Sequence, residues 1–233
     1  MAKRRNYKQF CGLARALDHV GERWTLLVVR NLLLGPKRYS DLLEELPGLT
    51  TNLLAERLRE MEHAGLVHKR KAPAPVRATV YELTPMGRAL EPTVMELARW
   101  GARFMDRPRK TDTFNVGWAL LSLKRRYRGG LAAIVSLRVG EREFELAFTP
   151  SYLAVTEGRA ARPDLGVAGS EQSVLAWLFR GADPSALRER GELRVTGSET
   201  AWEGLRAAFV AQEPDAEDIA GRLASRGVLE PLA

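Results

Sequence analysis

Apolar residues recur at intervals of three and four along about the first hundred positions, a spacing that predicts a series of short amphipathic helices. The predicted helices begin, in chain order, near Cys11, Trp24, Ser40 and Thr50. Gly35-Pro36 ends the second helix, and Pro47-Gly48 forms a turn between the third and the fourth. Thr84-Pro85 begins a longer apolar helix, which Pro92 should bend or divide because proline lacks a backbone N–H.

The segment after the fourth helix has the pattern of a β-hairpin. Residues 68–71 and 78–83 are typical of paired strands, and two prolines stiffen the tip at 72–77 between them. Two short helices joined by a turn and followed by such a hairpin form a winged helix-turn-helix, whose second helix enters the DNA major groove. Binding of double-stranded DNA is therefore the leading hypothesis for residues 1–106, and the apolar stripe of the last helix predicts dimerisation as well.

The pattern changes beyond the polar segment 107–112, which we interpret as a linker. Strict alternation of apolar and polar residues at 143–148 predicts a sheet with one buried face. Further strands are expected at about 133–139, 152–156, 165–168 and 192–197, and helices at about 114–127, 171–179 and 198–209. The fold class is therefore α+β, with a winged helix-turn-helix domain at 1–106 followed by a sheet-with-helices domain at 112–233.

Charge is distributed unevenly between the two predicted domains. Residues 1–110 hold 21 Lys and Arg against 12 Asp and Glu, whereas residues 111–233 hold 15 against 17. A basic excess confined to the half with the helix-turn-helix favours a polyanion as the partner of that half, because Lys and Arg attract phosphates over long distances.

The fourth helix carries side chains on its predicted outer face that match the edges of DNA bases. The candidate base-contacting residues are Thr51, Asn52, Glu56 and Arg59. Asn pairs with adenine, Arg pairs with guanine and Glu accepts from cytosine, at about 1–3 kcal/mol of discrimination for each good pair. The alternative is that Glu56 and Arg59 form a solvated pair, which stabilises the helix by roughly a few tenths of a kcal/mol.

Basic and hydroxyl residues surround this helix in the predicted fold and are candidates for phosphate contacts. They are Lys37, Arg38, Ser40, Thr50, Lys69, Arg70, Lys71 and Arg77. Such contacts position a protein on the duplex and make its affinity fall steeply with salt. The alternative for any basic run is that it serves solubility alone.

Residues 11–105 contain, in this order, Cys11, Val20-Gly21-Glu22-Arg23-Trp24-Thr25-Leu26-Leu27, Lys37-Arg38-Tyr39, Leu54-Ala55-Glu56-Arg57-Leu58, Glu62-His63-Ala64-Gly65-Leu66-Val67, Tyr81-Glu82-Leu83-Thr84-Pro85-Met86-Gly87 and Trp100. Through these segments, this part of the chain resembles the HxlR-type branch of winged-helix transcription regulators. The resemblance implies a cytosolic bacterial or archaeal homodimer that binds a two-fold-related operator.

The second half resembles a sterol-carrier-protein-like domain, through the strand-rich run that leads to residues 191–197 and the final amphipathic helix. This resemblance implies an apolar pocket for a lipid-like or other hydrophobic effector. The candidates for its lining are Trp118, Phe144, Phe148, Trp177 and Trp202. The alternative is that these aromatic residues form the ordinary core of a sheet covered by helices.

The chain offers little for catalysis or metal binding. Its single cysteine and three histidines lack metal-ligand spacing, and residues 111–233 contain neither residue type. We therefore expect no enzyme, no cofactor and no metal. Cys11 is either a small packed residue or, as in some members of the resembling family, a redox-sensing thiol. No apolar run approaches the roughly 20 residues that span a bilayer, so we expect a cytoplasmic protein without membrane insertion.

These patterns together favour a homodimeric transcriptional regulator that binds a DNA operator and responds to a hydrophobic ligand in its second domain. We expect a repressor, because a bound dimer blocks a promoter without further machinery. The alternative is a lipid-carrying or partner-docking protein that uses the winged domain mainly for dimerisation.

Overall fold

The computed structural model describes residues 6–72, 78–105 and 111–209, which fall into two units. The first unit extends to Val94 and the second begins at Met95, so that the boundary lies within one helix. The linker predicted at 107–112 lies mostly outside the described residues. Each unit has a core of its own.

The first unit contains the predicted helices and hairpin. Its elements are α1 Gly12–Val20, α2 Thr25–Leu32, β1 Lys37–Arg38, α3 Tyr39–Glu45, α4 Thr51–His63, β2 Val67–Lys71, β3 Thr79–Leu83, α5 Pro85–Arg88 and the start of α6 Glu91–Gly101. The strands form an antiparallel sheet in the order β1-β3-β2. The sequence does not predict β1, because a strand of two residues has no periodicity to detect.

Pro92 divides the last predicted helix, as expected. Helix α5 ends at Arg88, and Pro92 occupies the first turn of α6. The backbone N–H groups of a first helical turn have no partner within the helix, so a proline there removes no hydrogen bond.

The apolar positions of the predicted helices form the core of the first unit. Its largest fully buried side chains are Leu32, Leu34, Leu42, Leu46, Leu54, Leu58 and Met61. They come from α2, α3 and α4 and the turns that follow the first two helices. Full burial of one such side chain stabilises the fold by about 1.5–3 kcal/mol, so this apolar surface is what holds the three helices together.

A polar cluster is buried beside this core. The carboxylate of Glu45, the last residue of α3, accepts hydrogen bonds from Lys37 Nζ at 2.7 Å and from Asn31 Nδ2 at 2.9 Å. Two guanidinium nitrogens of Arg30 donate to Asn31 Oδ1, each at 3.0 Å. Burial lowers the pKa of Arg30 to about 10, and the charge of Glu45 opposes that shift. Because a buried charge requires a partner, the cluster ties α2, β1 and α3 together.

The end of β3 is locked to the end of α4 through Thr84. Its hydroxyl donates to the carbonyl of Gly65 and accepts from the N–H of Gly87. Its own N–H donates to the carbonyl of Leu66 at 3.0 Å. A Cβ atom on Gly87 would lie 2.0 Å from that same carbonyl oxygen, so position 87 has no room for a side chain unless the backbone moves.

The second unit is a five-stranded sheet with several helices. Beyond the end of α6 its elements are α7 Val116–Arg126, β4 Ala133–Val139, β5 Arg142–Thr149, β6 Tyr152–Glu157, β7 Leu165–Gly169, α8 Glu171–Arg180, α9 Pro184–Glu189, β8 Leu193–Gly197 and α10 Glu199–Ala208. The strand order is β6-β5-β4-β7-β8, and β4 and β7 are the parallel pair. The sequence does not predict α9, because six residues are too few to show a helical period.

Alternation along the strands divides this sheet into two faces, and the prediction of one buried face is confirmed. The buried face carries Val135, Leu137, Phe144, Leu146, Phe148, Leu153, Val155, Leu165 and Val167. Helix α7 contacts β6, while α8 and α10 contact β7. The opposite face carries small and polar residues, among them Ser136, Arg138, Glu143, Gly166, Ala168, Arg194 and Thr196.

Replacing Gly87 by Ala should lower the free energy of unfolding of the first unit by at least about 2 kcal/mol, because a clash with backbone cannot be relieved by a side-chain rotamer. Urea denaturation followed by circular dichroism measures the change. Gly12→Ala is the matched control, since a Cβ there meets nothing within 4 Å and alanine favours the helix. Equal unfolding free energies for the two variants would contradict the close approach at Gly87.

Candidate DNA-binding surface

Helix α4 has one buried face and one exposed face. Leu54 and Leu58 are buried, whereas Thr51, Asn52 and Arg59 are exposed. Arg59 Nε donates to a backbone carbonyl one turn earlier in the same helix, at 3.1 Å. The exposed face therefore offers a hydroxyl, an amide and a guanidinium, which include both donors and acceptors for base edges.

The start of α4 is fixed by local geometry. Gly48 has a φ of 88°, a conformation that favours glycine, and this allows a tight turn after α3. Thr50 caps α4 by accepting the N–H of Leu53 at 3.4 Å. The Tyr39 hydroxyl, from the first residue of α3, donates to the carbonyl of Thr51. The sequence assigns no role to Tyr39, because its partner is twelve residues away and is a backbone atom.

Arg57 is buried on the inner side of α4 and is surrounded by carboxylates. Its side chain is 6% exposed, and its guanidinium lies 2.6 Å from Glu60, 3.4 Å from Glu56 and 3.7 Å from Glu22. Glu22 belongs to the loop between α1 and α2, so Arg57 links α4 to that loop. Glu56 is thus paired with Arg57. The alternative offered by the sequence, a solvated pair, joined Glu56 to Arg59 instead.

The first group of predicted phosphate-contacting residues surrounds the starts of α3 and α4. Arg38, Ser40 and Thr50 are exposed there. Lys37 is not: it is 6% exposed, and its ammonium lies 2.7 Å from the Glu45 carboxylate. The prediction for Lys37 therefore needs correction, because its charge is directed into the protein and is paired there with the partly buried carboxylate of Glu45.

Two lysines of the wing, which is the hairpin formed by β2 and β3, are held by neighbouring side chains. Lys69 Nζ lies 3.1 Å from Glu62 and 5.4 Å from the centroid of the Tyr81 ring. The hydrogen bond that Lys69 donates to Glu62 raises the pKa of the lysine. Lys71 Nζ donates to Thr79 Oγ1 across the hairpin at 3.0 Å. Both lysines remain exposed, so both ammonium groups are accessible to a phosphate.

Arg70 belongs to a charge cluster on the wing. It pairs with Glu82 of β3, and Arg88 Nη2 lies 3.2 Å from the other oxygen of the same carboxylate. Partial burial raises the pKa of Glu82, but the hydrogen bond and charge of Arg70, with the charges of Arg88 and His68, outweigh it and lower the pKa overall. Part of the Arg70 charge is thus neutralised. Arg77, at the predicted tip, lies outside the described residues.

Large apolar side chains are exposed around α1 and α6. Near α1 they are Phe10, Leu13 and Leu17, and on α6 and the residues after it they are Leu97, Trp100, Phe104 and Met105. The rings of Trp100 and Phe104 pack edge to face, 5.0 Å apart between centroids. Clusters of exposed apolar side chains are typical of surfaces that another protein chain covers.

Three of the five aromatic residues predicted to line a ligand cavity are buried in the core of the second unit. Phe144, Phe148 and Trp202 are at most 5% exposed. The rings of Trp177 and Trp202 are 5.5 Å apart between centroids, and Trp118 is half-buried. For Phe144, Phe148 and Trp202, the structure thus supports the alternative of an ordinary core. The cavity described in this unit is lined by none of the five.

Cys11 is exposed immediately before α1. Within the described residues it is therefore not the small packed residue that the sequence also allows. The backbone N–H groups of Ala14 and then Leu13, in the first turn of the helix, lower the pKa of its thiol. An exposed thiol of lowered pKa is accessible to oxidants. Because the chain has a single cysteine, any disulfide would join two subunits.

Alkylation of Cys11 by iodoacetamide should reach half of its maximal rate at a lower pH in the folded protein than in the urea-unfolded one. The lowered pKa means that thiolate, the reactive form, is already present at lower pH when α1 is folded. The rate is measured against pH by mass spectrometry, with Cys11→Ser as the unreactive control. An unchanged or higher midpoint in the folded protein would contradict the influence of the helix start.

Residues 6–72, 78–105 and 111–209 contain no group of three His, Cys, Asp or Glu side chains placed to hold a metal ion. Within the same residues, no helix is long and apolar enough to cross a membrane.

Known proteins align with the part of the chain that carries this surface. The family model described as HxlR-like helix-turn-helix matches residues 19–109. The HTH-type transcriptional regulator YvaP of Bacillus subtilis is 37% identical over 103 residues, which are 43% of this chain and 94% of YvaP. YodB, an HTH-type transcriptional regulator of the same organism, is 33% identical over 91 residues, or 39% of this chain and 81% of YodB.

The reduced form of YodB from B. subtilis aligns at 30% identity and a TM-score of 0.37, covering 43% of this chain and 100% of that one. The relatives are transcriptional regulators, which are generally not enzymes. Since YvaP is matched over nearly its whole length, the chain belongs to the HxlR-like helix-turn-helix family of transcriptional regulators.

Proposed function

We propose that the protein is a homodimeric repressor that inserts α4 of each subunit into the major groove of a two-fold-related DNA operator. The observation that carries this proposal is the division of α4, which buries Leu54, Leu58 and Met61 and exposes polar side chains on its other face. A helix that follows a tight turn and keeps one polar face exposed fits the major groove.

Base contacts in this proposal come from the exposed face of α4. Asn52 is suited to adenine and Arg59 to guanine, while the Thr51 hydroxyl bonds to either type of edge. To reach a base, Arg59 exchanges its hydrogen bond to the Ala55 carbonyl for one to DNA. Glu56 contributes less, because its carboxylate is paired with Arg57, and a contact to cytosine would disturb that pair.

Phosphate contacts in this proposal come from residues on both sides of α4. Arg38, Ser40 and Thr50 lie before the helix, and the wing supplies Lys69, Arg70, Lys71 and, beyond the described residues, Arg77. Lys69 and Arg70 are paired with carboxylates that repel phosphate. They should therefore contribute less to the salt dependence of binding than Arg38, for which the structure shows no carboxylate pair among the described residues.

The homodimer in this proposal rests on the exposed apolar residues around α1 and α6. Burying such surfaces against a second subunit removes them from water, and a two-fold axis presents two copies of α4 to the DNA. Half-sites of an operator then repeat at about one helical turn, roughly 34–36 Å.

The second unit is the effector-binding part of this proposal. A ligand bound there shifts the population of dimers whose two α4 helices match the half-site spacing, and so releases the operator. The sterol-carrier-like resemblance implies a hydrophobic ligand, but the cavity that the structure describes in this unit is not lined by the predicted aromatic residues.

Replacing Arg59 by Ala should weaken binding to the operator far more than binding to scrambled DNA, because a base contact carries sequence information. Arg38→Ala should weaken both equally and lower the slope of log K against log salt by about one, as a phosphate contact does. Fluorescence anisotropy at two salt concentrations measures both effects. Arg190→Ala, a loss of one exposed arginine in the second unit, is the control for net charge. A uniform loss of affinity for Arg59→Ala would contradict its role in base recognition.

Replacing Trp100 by Glu should dissociate the dimer, because a charge is placed in an apolar interface. Sedimentation equilibrium should give twice the 26.0 kDa chain mass for the wild type and a mass near that of one chain for the variant. Phe114→Glu is the matched control, since Phe114 is 58% exposed and Trp100 is 56% exposed. A monomeric wild type, or an unaffected Trp100→Glu dimer, would contradict the proposed interface.

A further inference from the structure

The polar face of the sheet in the second unit contains a cavity of about 450 Å³. We name it the basic hollow, and it is lined by Ser136, Arg138, Glu143, Arg159, Ala160, Ala161, Pro163, Gly166, Val167, Ala168, Arg194 and Thr196. Its floor is formed by neighbouring strands and one wall by the segment that follows β6. It lies on the opposite side of the sheet from the aromatic core.

Small residues on β7 create the room. Gly166 and Ala168 both point toward this face, so β7, which lies between β4 and β8, fills little of the space above the floor. A Cβ atom on Gly166 would lie 2.6 Å from the Thr196 hydroxyl oxygen, which leans over the floor from β8. The hollow is thus a consequence of side-chain size at two positions of one strand.

Strand register places two arginines on either side of this floor. Ala168 pairs with Arg138 on β4 and with Arg194 on β8. The Cα atoms of Arg138 and Arg194 are separated by two strand spacings, about 10 Å. Arg159 adds a third guanidinium from the wall.

These three arginines differ from Arg142 and Arg206 of the same unit in their partners. Arg142 pairs with Glu157, and Arg206 pairs with Glu203. Among the described residues, the structure shows no ion pair or side-chain hydrogen bond for Arg138, Arg159 or Arg194. Glu143 is the single acidic residue of the lining, so three positive charges face one negative charge. An anion entering the hollow would supply partners that the protein does not.

We propose that the basic hollow binds a small organic polycarboxylate. The planar guanidinium fork bonds to a carboxylate through two parallel N–H groups, and the spacing of Arg138 and Arg194 suits a molecule with separated carboxylates. Ser136 and Thr196 supply hydroxyl groups, Glu143 accepts from a hydroxyl group of the ligand, and Ala160, Ala161 and Pro163 contact its carbon atoms.

The polycarboxylate is also the effector of the regulator. Its role as effector rests on the proposed function, whereas its binding at the hollow does not. It replaces the hydrophobic effector expected from the sequence with a polar one, because the lining is charged and the apolar aromatic residues are already packed together.

The test is isothermal titration of the full-length protein with citrate, in the absence of DNA and at low ionic strength. One citrate should bind per chain, and Arg138→Ala and Arg194→Ala should each weaken binding at least about tenfold, as loss of a charge-assisted hydrogen bond does. Ala168→Leu should also abolish binding, because it fills the hollow without removing a charge. Arg206→Ala, which removes an arginine from α10, should leave it unchanged.

Several outcomes would overturn the proposal. They are the absence of saturable citrate binding, equal binding of inorganic phosphate, and citrate binding that the Arg138, Arg194 and Ala168 variants leave intact. Circular dichroism of each variant shows that a loss of binding does not reflect unfolding. If the protein binds citrate at the hollow but shows no preference for the operator, the binding site stands and the proposed regulatory function is wrong. Failure of the site and failure of the regulatory function are therefore distinguishable.

Discussion

The division of α4 into a buried and an exposed face is the constraint on which the first unit depends. Leu54, Leu58 and Met61 must be removed from water, and the same periodicity sends Asn52 and Arg59 outward. The helix cannot rotate to expose other residues, because Arg57 is buried among carboxylates on the inner side. The polar face that we propose for DNA binding thus follows from the packing that makes the helix stable.

Charge in this protein has two uses that composition alone does not separate. The basic excess of the first 110 residues suggests a uniform attraction for phosphate, yet Lys37 is buried against Glu45, and Arg57 is buried among three carboxylates. Arg70 is paired with Glu82 on the wing. The electrostatic contribution to DNA binding should accordingly come from fewer residues than the net charge indicates, with Arg38 among them.

Much of the fold could be predicted from the sequence, because long periodic segments determine which face of a helix or strand is buried. The strands at 133–139 and 143–148 and the helix break at Pro92 follow from such patterns. The partners of single side chains do not follow from such patterns. The inward position of Lys37 depends on Glu45 eight residues later, and the basic hollow depends on strand register between residues about thirty positions apart. The sequence also leaves open whether the aromatic residues form a core or line a cavity, because burial depends on contacts that a sequence pattern does not specify.

The measurement that tests the central claim most directly is hydroxyl-radical footprinting of the full-length protein on DNA from immediately upstream of its own gene. A dimer that inserts two α4 helices should protect two patches on one side of the duplex, separated by about one helical turn of roughly 10 base pairs. Protection without a repeat, or uniform weak protection that disappears with added salt, would contradict recognition of a two-fold operator by α4.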